Sequence, residues 1–274
     1  MTNRVDTKRK EIKNKALRGE PVYSCGLVLY PITMADYEEY INCKSALSLR
    51  QSTFPVKYLK KDFLSAIFAM EMDAIESKKE NSGMLFRIMN LLLLSLRIGD
   101  DKKEVMKKCL RYDPKTKELR SIVVPSDGEI IEITPLDFST KIRPIIAELN
   151  GIELPKESQN LDLVESNEWL KSRNKNSSKL DVNVTDSIAS VAYQSGIRIR
   201  EIMDWTVLEY ELRRKAIERD KKYSTYKTAE LSGMVTFKDG NPFPSWEYDV
   251  FDDSLGTISL SELGSRLKGV KEKQ

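Results

Sequence analysis

The 274-residue sequence contains no histidine, and this absence excludes several classes of chemistry. Without imidazole, the chain has no histidine base to activate a serine or cysteine nucleophile, no histidine metal ligand and no histidine switch near neutral pH. Cysteines are also few: Cys25, Cys43 and Cys109 are widely spaced and form no CxxC pair. Neither a disulfide framework nor a zinc site is indicated, and a reducing cytoplasm is the expected environment.

Long hydrophobic runs are missing as well. The longest is IMNLLLLSL at 88–96, far shorter than the roughly 20 residues of a membrane-spanning helix. The charged amino terminus, MTNRVDTKRKEIKNKALRGEP, has no apolar segment typical of a secretory signal. Lys and Arg number 45 against 42 Asp and Glu, so no global field favours nucleic acid or an anionic membrane. We therefore expect a soluble protein that binds no membrane.

Motifs for catalysis or cofactor binding are equally scarce. There is no Gly-rich phosphate loop, and acidic pairs such as Asp100 with Asp101 or Asp252 with Asp253 have no motif around them. Such groups are typical of helix starts and solvated faces. The sequence predicts no catalytic residue, no cofactor and no metal, and therefore no enzyme.

The residues that are present predict a helix-rich amino-terminal region. YSCGLVLYP at 23–31 has strand character, and TMAD at 33–36 matches a capping box that would start a helix reaching about Arg50. A second amphipathic helix is predicted to begin after Pro55, with an inward stripe of Leu59, Phe63, Ile67, Met70 and Ala74. The helix between Gly83 and Gly99 is apolar nearly all round, so it should form the centre of this domain.

After the Leu-rich helix, the hydrophobic period changes. Short runs at 104–113, 118–125 and 129–135 are separated by turn residues and predict a three-stranded meander. The segment 134–151 has Thr134 as a helix cap, and Pro144 should kink or divide the helix. The predicted fold class is mainly α with a small antiparallel β-meander (α+β).

Composition divides the chain into four parts. Residues 1–154 are predicted to form an α+β amino-terminal domain, and 155–181 are Asn-, Ser- and Lys-rich and read as a polar linker. Residues 182–245 are predicted to form a small all-α domain, with Thr185 capping a short helix that Gly196 ends. The remainder, 246–274, is a charged tail.

One long charged helix dominates the second region. TVLE at 206–209 matches a capping box, and apolar, aromatic and basic side chains then recur at spacings of three and four. This stripe and two later aromatics are the predicted partner-binding residues: Trp205, Leu208, Leu212, Ala216, Arg219, Tyr223, Tyr226, Phe237 and Trp246.

Three interpretations of that stripe stay open. The short preceding helices could cover its first half as part of the domain core, and the rest would then be solvated. It could instead be a docking surface, because exposed aromatic anchors are enriched at protein interfaces. The third interpretation is that the basic residues bind nucleic acid. The acidic side chains interleaved with them disfavour it: Glu209, Glu211, Glu218 and Asp220.

The chain also resembles a known family in the order of its segments. GLVLYPITMADYEEYINCKSALSLRQSTFP, DFLSAIFAMEMDA and the Leu-rich helix look like tail-gene proteins of bacteriophages of Gram-positive hosts. SIASVAYQSGIRIREIMDWTVLEYELRRKAI with the trailing NPFPSWEYD is similar in layout to the carboxy-terminal extension of tail assembly chaperones. The resemblance implies a non-catalytic protein of the host bacterial cytoplasm that binds the tape measure protein and recruits tail tube protein.

Other functions remain as alternatives. The predicted meander has no counterpart in that family picture, and both regions here form one uninterrupted sequence. A structural component of the phage tail or baseplate is the second hypothesis, and a nucleic-acid-binding regulator is the third. Homo-oligomerisation stays open in each case.

Overall fold

The computed structural model describes residues 2–78, 82–99, 105, 108–113, 115–116, 118–126, 128–155, 183–233, 241 and 245–247. Two compact units are present: Met1–Glu157 with Asn183–Leu212, and Ser158–Val182 with Arg213–Gln274. The structure therefore groups 183–212 with the amino-terminal region, whereas the sequence suggested a separate domain over 182–245. Nearly all of the predicted linker lies outside the described residues.

The amino-terminal helix and a small hairpin open the first unit. Helix α1 spans Thr2–Leu17, and strands β1 (Val22–Ser24) and β2 (Leu27–Leu29) pair antiparallel. The prediction of one strand over 23–31 is wrong because Cys25 and Gly26 both have positive φ, 51° and 78°. Two such residues form the tight turn that joins paired strands.

The predicted capping box at Thr33 is also wrong. Residues Met34–Asp36 form a 3-10 turn, helix α2 spans Tyr37–Leu47, and the Thr33 side chain makes no capping hydrogen bond. Thr33 instead forms a β-bridge with Thr206. The pairing of Thr33 with Thr206, which is distant in the chain, therefore replaces the helix cap that the residue pattern predicted.

Helices α3 and α4 form the apolar centre of the unit. Helix α3 spans Phe63–Glu76 and so begins seven residues later than the sequence suggested, because Val56–Tyr58 is a 3-10 turn. The Asp62 carboxylate caps α3 by accepting from Ser65 N at 3.0 Å. Helix α4, Met84–Ser95, is buried over most of its length. This confirms its predicted central place, and each buried leucine contributes about 1.5–3 kcal/mol.

Two buried charged side chains form hydrogen bonds with main-chain groups at helix ends in this core. Arg143 donates from Nε and Nη2 to the Leu47 carbonyl at 3.0 and 2.9 Å, so it caps the end of α2. The Glu71 carboxylate accepts from Leu85 N at 2.9 Å and so stabilises the beginning of α4. The Arg143 contact joins elements that are distant in sequence, and the Glu71 contact joins two consecutive helices.

The predicted meander is confirmed. Strands β3 (Leu110–Tyr112), β4 (Leu119–Ser126) and β5 (Glu129–Ile133) form an antiparallel sheet in the order β3-β4-β5. The fold is therefore mainly α with a small antiparallel meander.

The predicted interruption at Pro144 is confirmed as well. Helix α5, Pro135–Asp137, passes into a π-helical turn at Phe138–Ile142 and then into α6, Arg143–Leu149. Proline has no N–H to donate, which favours such an irregular turn before it. The Thr134 cap is present too, since its hydroxyl accepts from Asp137 N at 3.1 Å.

Three helices complete the described chain. Helix α7 spans Val184–Ser195, α8 spans Ile199–Ile202 and α9 spans Val207–Leu231. Gly196 ends α7 in the left-handed conformation, as predicted, but the cap at its start is Asn183 and not Thr185. Helix α9 begins in the first unit, and its part from Arg213 onward belongs to the second.

Candidate protein-binding surface

The first turn of α9 is paired with the segment before α2. Val207 N donates to the Ile32 carbonyl at 2.9 Å, and Met34 N donates to the Trp205 carbonyl at 2.9 Å. Thr206 caps the helix as predicted, because its hydroxyl accepts from Glu209 N at 3.2 Å. These bonds tie the start of α9 to the amino-terminal part of the same unit.

Aromatic packing reinforces this attachment. Tyr210 is 0% exposed, and its ring meets that of Tyr37 edge to face with centroids 5.2 Å apart. The Tyr210 hydroxyl lies 2.8 Å from Ser187 Oγ on α7, and the Tyr37 hydroxyl donates to Glu211 Oε1 at 2.7 Å. Helices α2, α7 and α9 therefore share one contact cluster.

Buried Asn150 forms hydrogen bonds with three polar groups near this cluster. Its Oδ1 accepts from Ile32 N at 2.8 Å, its Nδ2 donates to the Ile146 carbonyl at 2.8 Å, and its own carbonyl accepts from the Tyr40 hydroxyl at 2.9 Å. Burial, and to a lesser extent the negative charge of Glu211, raises the pKa of Tyr40. Tyr40 therefore stays a neutral hydrogen-bond donor over the physiological range.

Gly151 lets the chain pass close under α9. Its φ is 66°, and a Cβ added there would lie 3.0 Å from Leu208 Cδ1. We expect Gly151→Ala to lower the free energy of unfolding by about 1–2 kcal/mol, because left-handed backbone strain adds to the crowding. Urea denaturation measures this loss, and Gly19→Ala, where φ is 70° and the added Cβ meets nothing within 4 Å, isolates the backbone cost. Equal losses for the two variants would contradict the crowding.

The predicted partner-binding residues have different environments. Leu208 is buried in the first unit, Trp205 is half-buried and Leu212 is 45% exposed. In the second unit, Ala216 and Trp246 are exposed, whereas Arg219, Tyr223 and Tyr226 are half-buried. Phe237 lies outside the described residues. The part of the stripe that faces solvent at least partly is Leu212, Ala216, Arg219, Tyr223 and Tyr226, which we call the α9 stripe.

Basic residues surround the α9 stripe. Residues 213–231 contain seven Lys or Arg and three Asp or Glu. Arg214 Nη1 lies 2.6 Å from Glu218 Oε1, and Lys227 Nζ lies 3.1 Å from Glu230 Oε2. The hydrogen bond from Lys227, followed by that from Asn241, lowers the pKa of Glu230. Arg214 and Lys227 are thus paired within the helix, and the excess of basic over acidic residues in this segment favours acidic groups on a partner.

The described residues offer little else as a chemical centre. Within those ranges, no group of three or more Cys, Asp or Glu side chains is placed to hold a metal ion. In the same part of the chain, no helix is long and apolar enough to cross a membrane.

Comparison with known proteins leaves the family open. No protein-family model, no curated protein and no solved structure matches the chain. The functional interpretation therefore rests on the α9 stripe and on the contact cluster that α2, α7 and α9 share.

Proposed function

We propose that this chain is a bacteriophage tail assembly chaperone that acts in the host cytoplasm by binding the tape measure protein and helping to recruit tail tube protein. The proposal draws on the resemblance of the segment order to that family and on the surface of α9. It assigns the chain a binding role and no catalysis.

A single observation carries the proposal: one face of α9 is buried in its first turns and solvent-accessible further along. Leu208 belongs to a core, whereas the same helical stripe continues through Leu212, which is 45% exposed, and through Tyr223 and Tyr226, which are half-buried. Side chains at such spacings form a continuous ridge. A ridge with apolar and aromatic groups suits a helix of a partner laid along it.

The base of α9 supports this use. Main-chain bonds to Ile32 and Met34 and the buried Tyr210 ring fix where the helix starts. A helix whose first turns are already ordered loses less entropy on association than one that must first fold. The tape measure protein is expected to supply a helix with apolar residues on one side and acidic residues beside them.

We expect the double variant Tyr223→Ala with Tyr226→Ala to lose co-purification with co-expressed tape measure protein, with affinity reduced at least about tenfold. Each tyrosine buried at an interface centre contributes on the order of 1–2 kcal/mol. Calorimetric titration of the purified full chain with a tape measure fragment gives the magnitude.

The matched control removes two tyrosines elsewhere: Tyr23→Ala with Tyr193→Ala, both strongly exposed in the first unit. The control should bind as the unchanged protein does. Unchanged binding by the Tyr223 and Tyr226 variant would remove the α9 stripe from the proposal. Absence of any tape measure binding, with stoichiometric amounts of the chain in purified particles, would favour a structural tail component. Salt-sensitive DNA binding would favour the nucleic-acid regulator.

A further inference from the structure

A cleft of about 530 Å³ opens between α2 and α4, and none of its lining residues belongs to the α9 stripe. Glu39 and Cys43 line it from α2, and Phe86, Arg87 and Asn90 line it from α4. Residues three and four apart share one face of a helix, so each wall presents its side chains together. The cleft is of the size that small ligands and peptide ends occupy.

Asn90 is the most informative residue of the cleft. It is 3% exposed, and its Nδ2 donates to Glu39 Oε1 at 2.8 Å and to Cys43 Sγ at 3.4 Å. Among the residues that the structure describes, none donates a hydrogen bond to its Oδ1. Turning the amide over would point that oxygen at the Glu39 carboxylate, so the orientation is determined by charge. A buried carbonyl oxygen without a donor is costly, so a water molecule or a ligand group that supplies one is favoured there.

Phe86 and Arg87 give the cleft an apolar and a cationic group. Phe86 is 45% exposed, although most of α4 is buried. Arg87 is half-buried, and its guanidinium forms no ion pair with the residues that the structure describes. An unpaired guanidinium beside an exposed ring is a common anchor for a carboxylate with an apolar side chain.

We infer that the cleft binds the carboxy-terminal residue of a partner polypeptide when that residue is apolar. Such a residue has a carboxylate for Arg87, a side chain for Phe86 and an amide N–H for Asn90 Oδ1. Because Glu39 already accepts from Asn90 and would repel a second carboxylate, the ligand's carboxylate belongs at Arg87. The inference is independent of the proposed function, since it involves neither α9 nor the tape measure protein.

N-acetyl-leucine is the smallest probe with all three groups. We expect its addition to the isotope-labelled full chain to shift the NMR signals of the Asn90 side-chain amide and of the Phe86 and Arg87 backbone amides, saturating with a Kd on the order of millimolar. N-acetyl-leucinamide, which lacks the carboxylate, should bind roughly tenfold more weakly or not at all.

Arg87→Glu should weaken N-acetyl-leucine binding at least about tenfold. Arg111→Glu makes the same charge change at an exposed position on β3 and should leave the Kd unchanged. Melting temperatures of both variants verify folding, and the amide probe tests the carboxylate without any substitution. No shift at the cleft, equal shifts with the amide, or full binding by Arg87→Glu would each overturn the inference.

Discussion

Asn150→Leu should lower the free energy of unfolding of the full chain by about 2–4 kcal/mol. Leucine has nearly the same shape but leaves Ile32 N without an acceptor and removes the donor to the Ile146 carbonyl. Each buried polar group left unsatisfied costs about 1–3 kcal/mol. The burial gained by the leucine side chain offsets part of this loss.

Urea denaturation followed by far-ultraviolet circular dichroism measures the Asn150 effect. Asn14→Leu is the matched control, because Asn14 is exposed on α1; its effect should stay within about 0.5 kcal/mol. A loss below about 1 kcal/mol for Asn150→Leu would mean that water or a shifted backbone replaces the bonds of the side chain. Asn150 would then not be the residue that holds the segment before α2.

Local signals predicted those elements whose stability is local. The run bracketed by Gly83 and Gly99 predicted α4 because a helix that is apolar on all sides must be covered. Pro144 predicted an interruption because proline cannot donate a helix hydrogen bond wherever the helix packs. Thr134 and Thr206 cap helices as expected because the acceptor and donor are three residues apart.

Elements that depend on distant contacts were predicted poorly. Thr33 has the residue pattern of a cap, yet its backbone pairs with Thr206, and no spacing rule reports such a partner. The later start of α3 has a similar cause: Asp62 was a usable cap, but the apolar residues before it resembled another helical turn. The grouping of 183–212 with the amino-terminal unit likewise depends on pairing that periodicity does not encode.

The candidate sites show the same division. The spacing of Leu212, Ala216, Arg219, Tyr223 and Tyr226 predicted a common stripe, and the geometry of α9 places them on one face. The same spacing included Leu208, which is buried, because periodicity does not state how far a core extends along a helix. Asn90 inside IMNLLLL was a usable signal for the cleft, since a polar residue in an apolar helix requires a partner.

Tyr210→Ala should destabilise the attachment of α7 and the first turns of α9 by about 3–5 kcal/mol. The substitution empties a fully buried aromatic site, removes the edge-to-face contact with Tyr37 and leaves Ser187 without its partner hydroxyl. Deleting a buried aromatic ring costs this much because the surrounding structure collapses only partly into the space. Tyr193→Ala is the control: that ring is 84% exposed on α7, and its loss should change stability by less than about 0.5 kcal/mol.

Hydrogen exchange distinguishes local detachment from global unfolding in the Tyr210 variant. Amides of α7 and of residues 207–212 should exchange faster by a factor of at least about 100, because opening this cluster becomes easier than unfolding the whole unit. Amides of α4 should change less, since its core does not contain Tyr210. Equal acceleration in α4 and α7 would show that 183–212 and the amino-terminal elements unfold as one cooperative body. In that case the base of α9 would be as stable as the core, and binding at the α9 stripe could not be weakened by loosening the base alone.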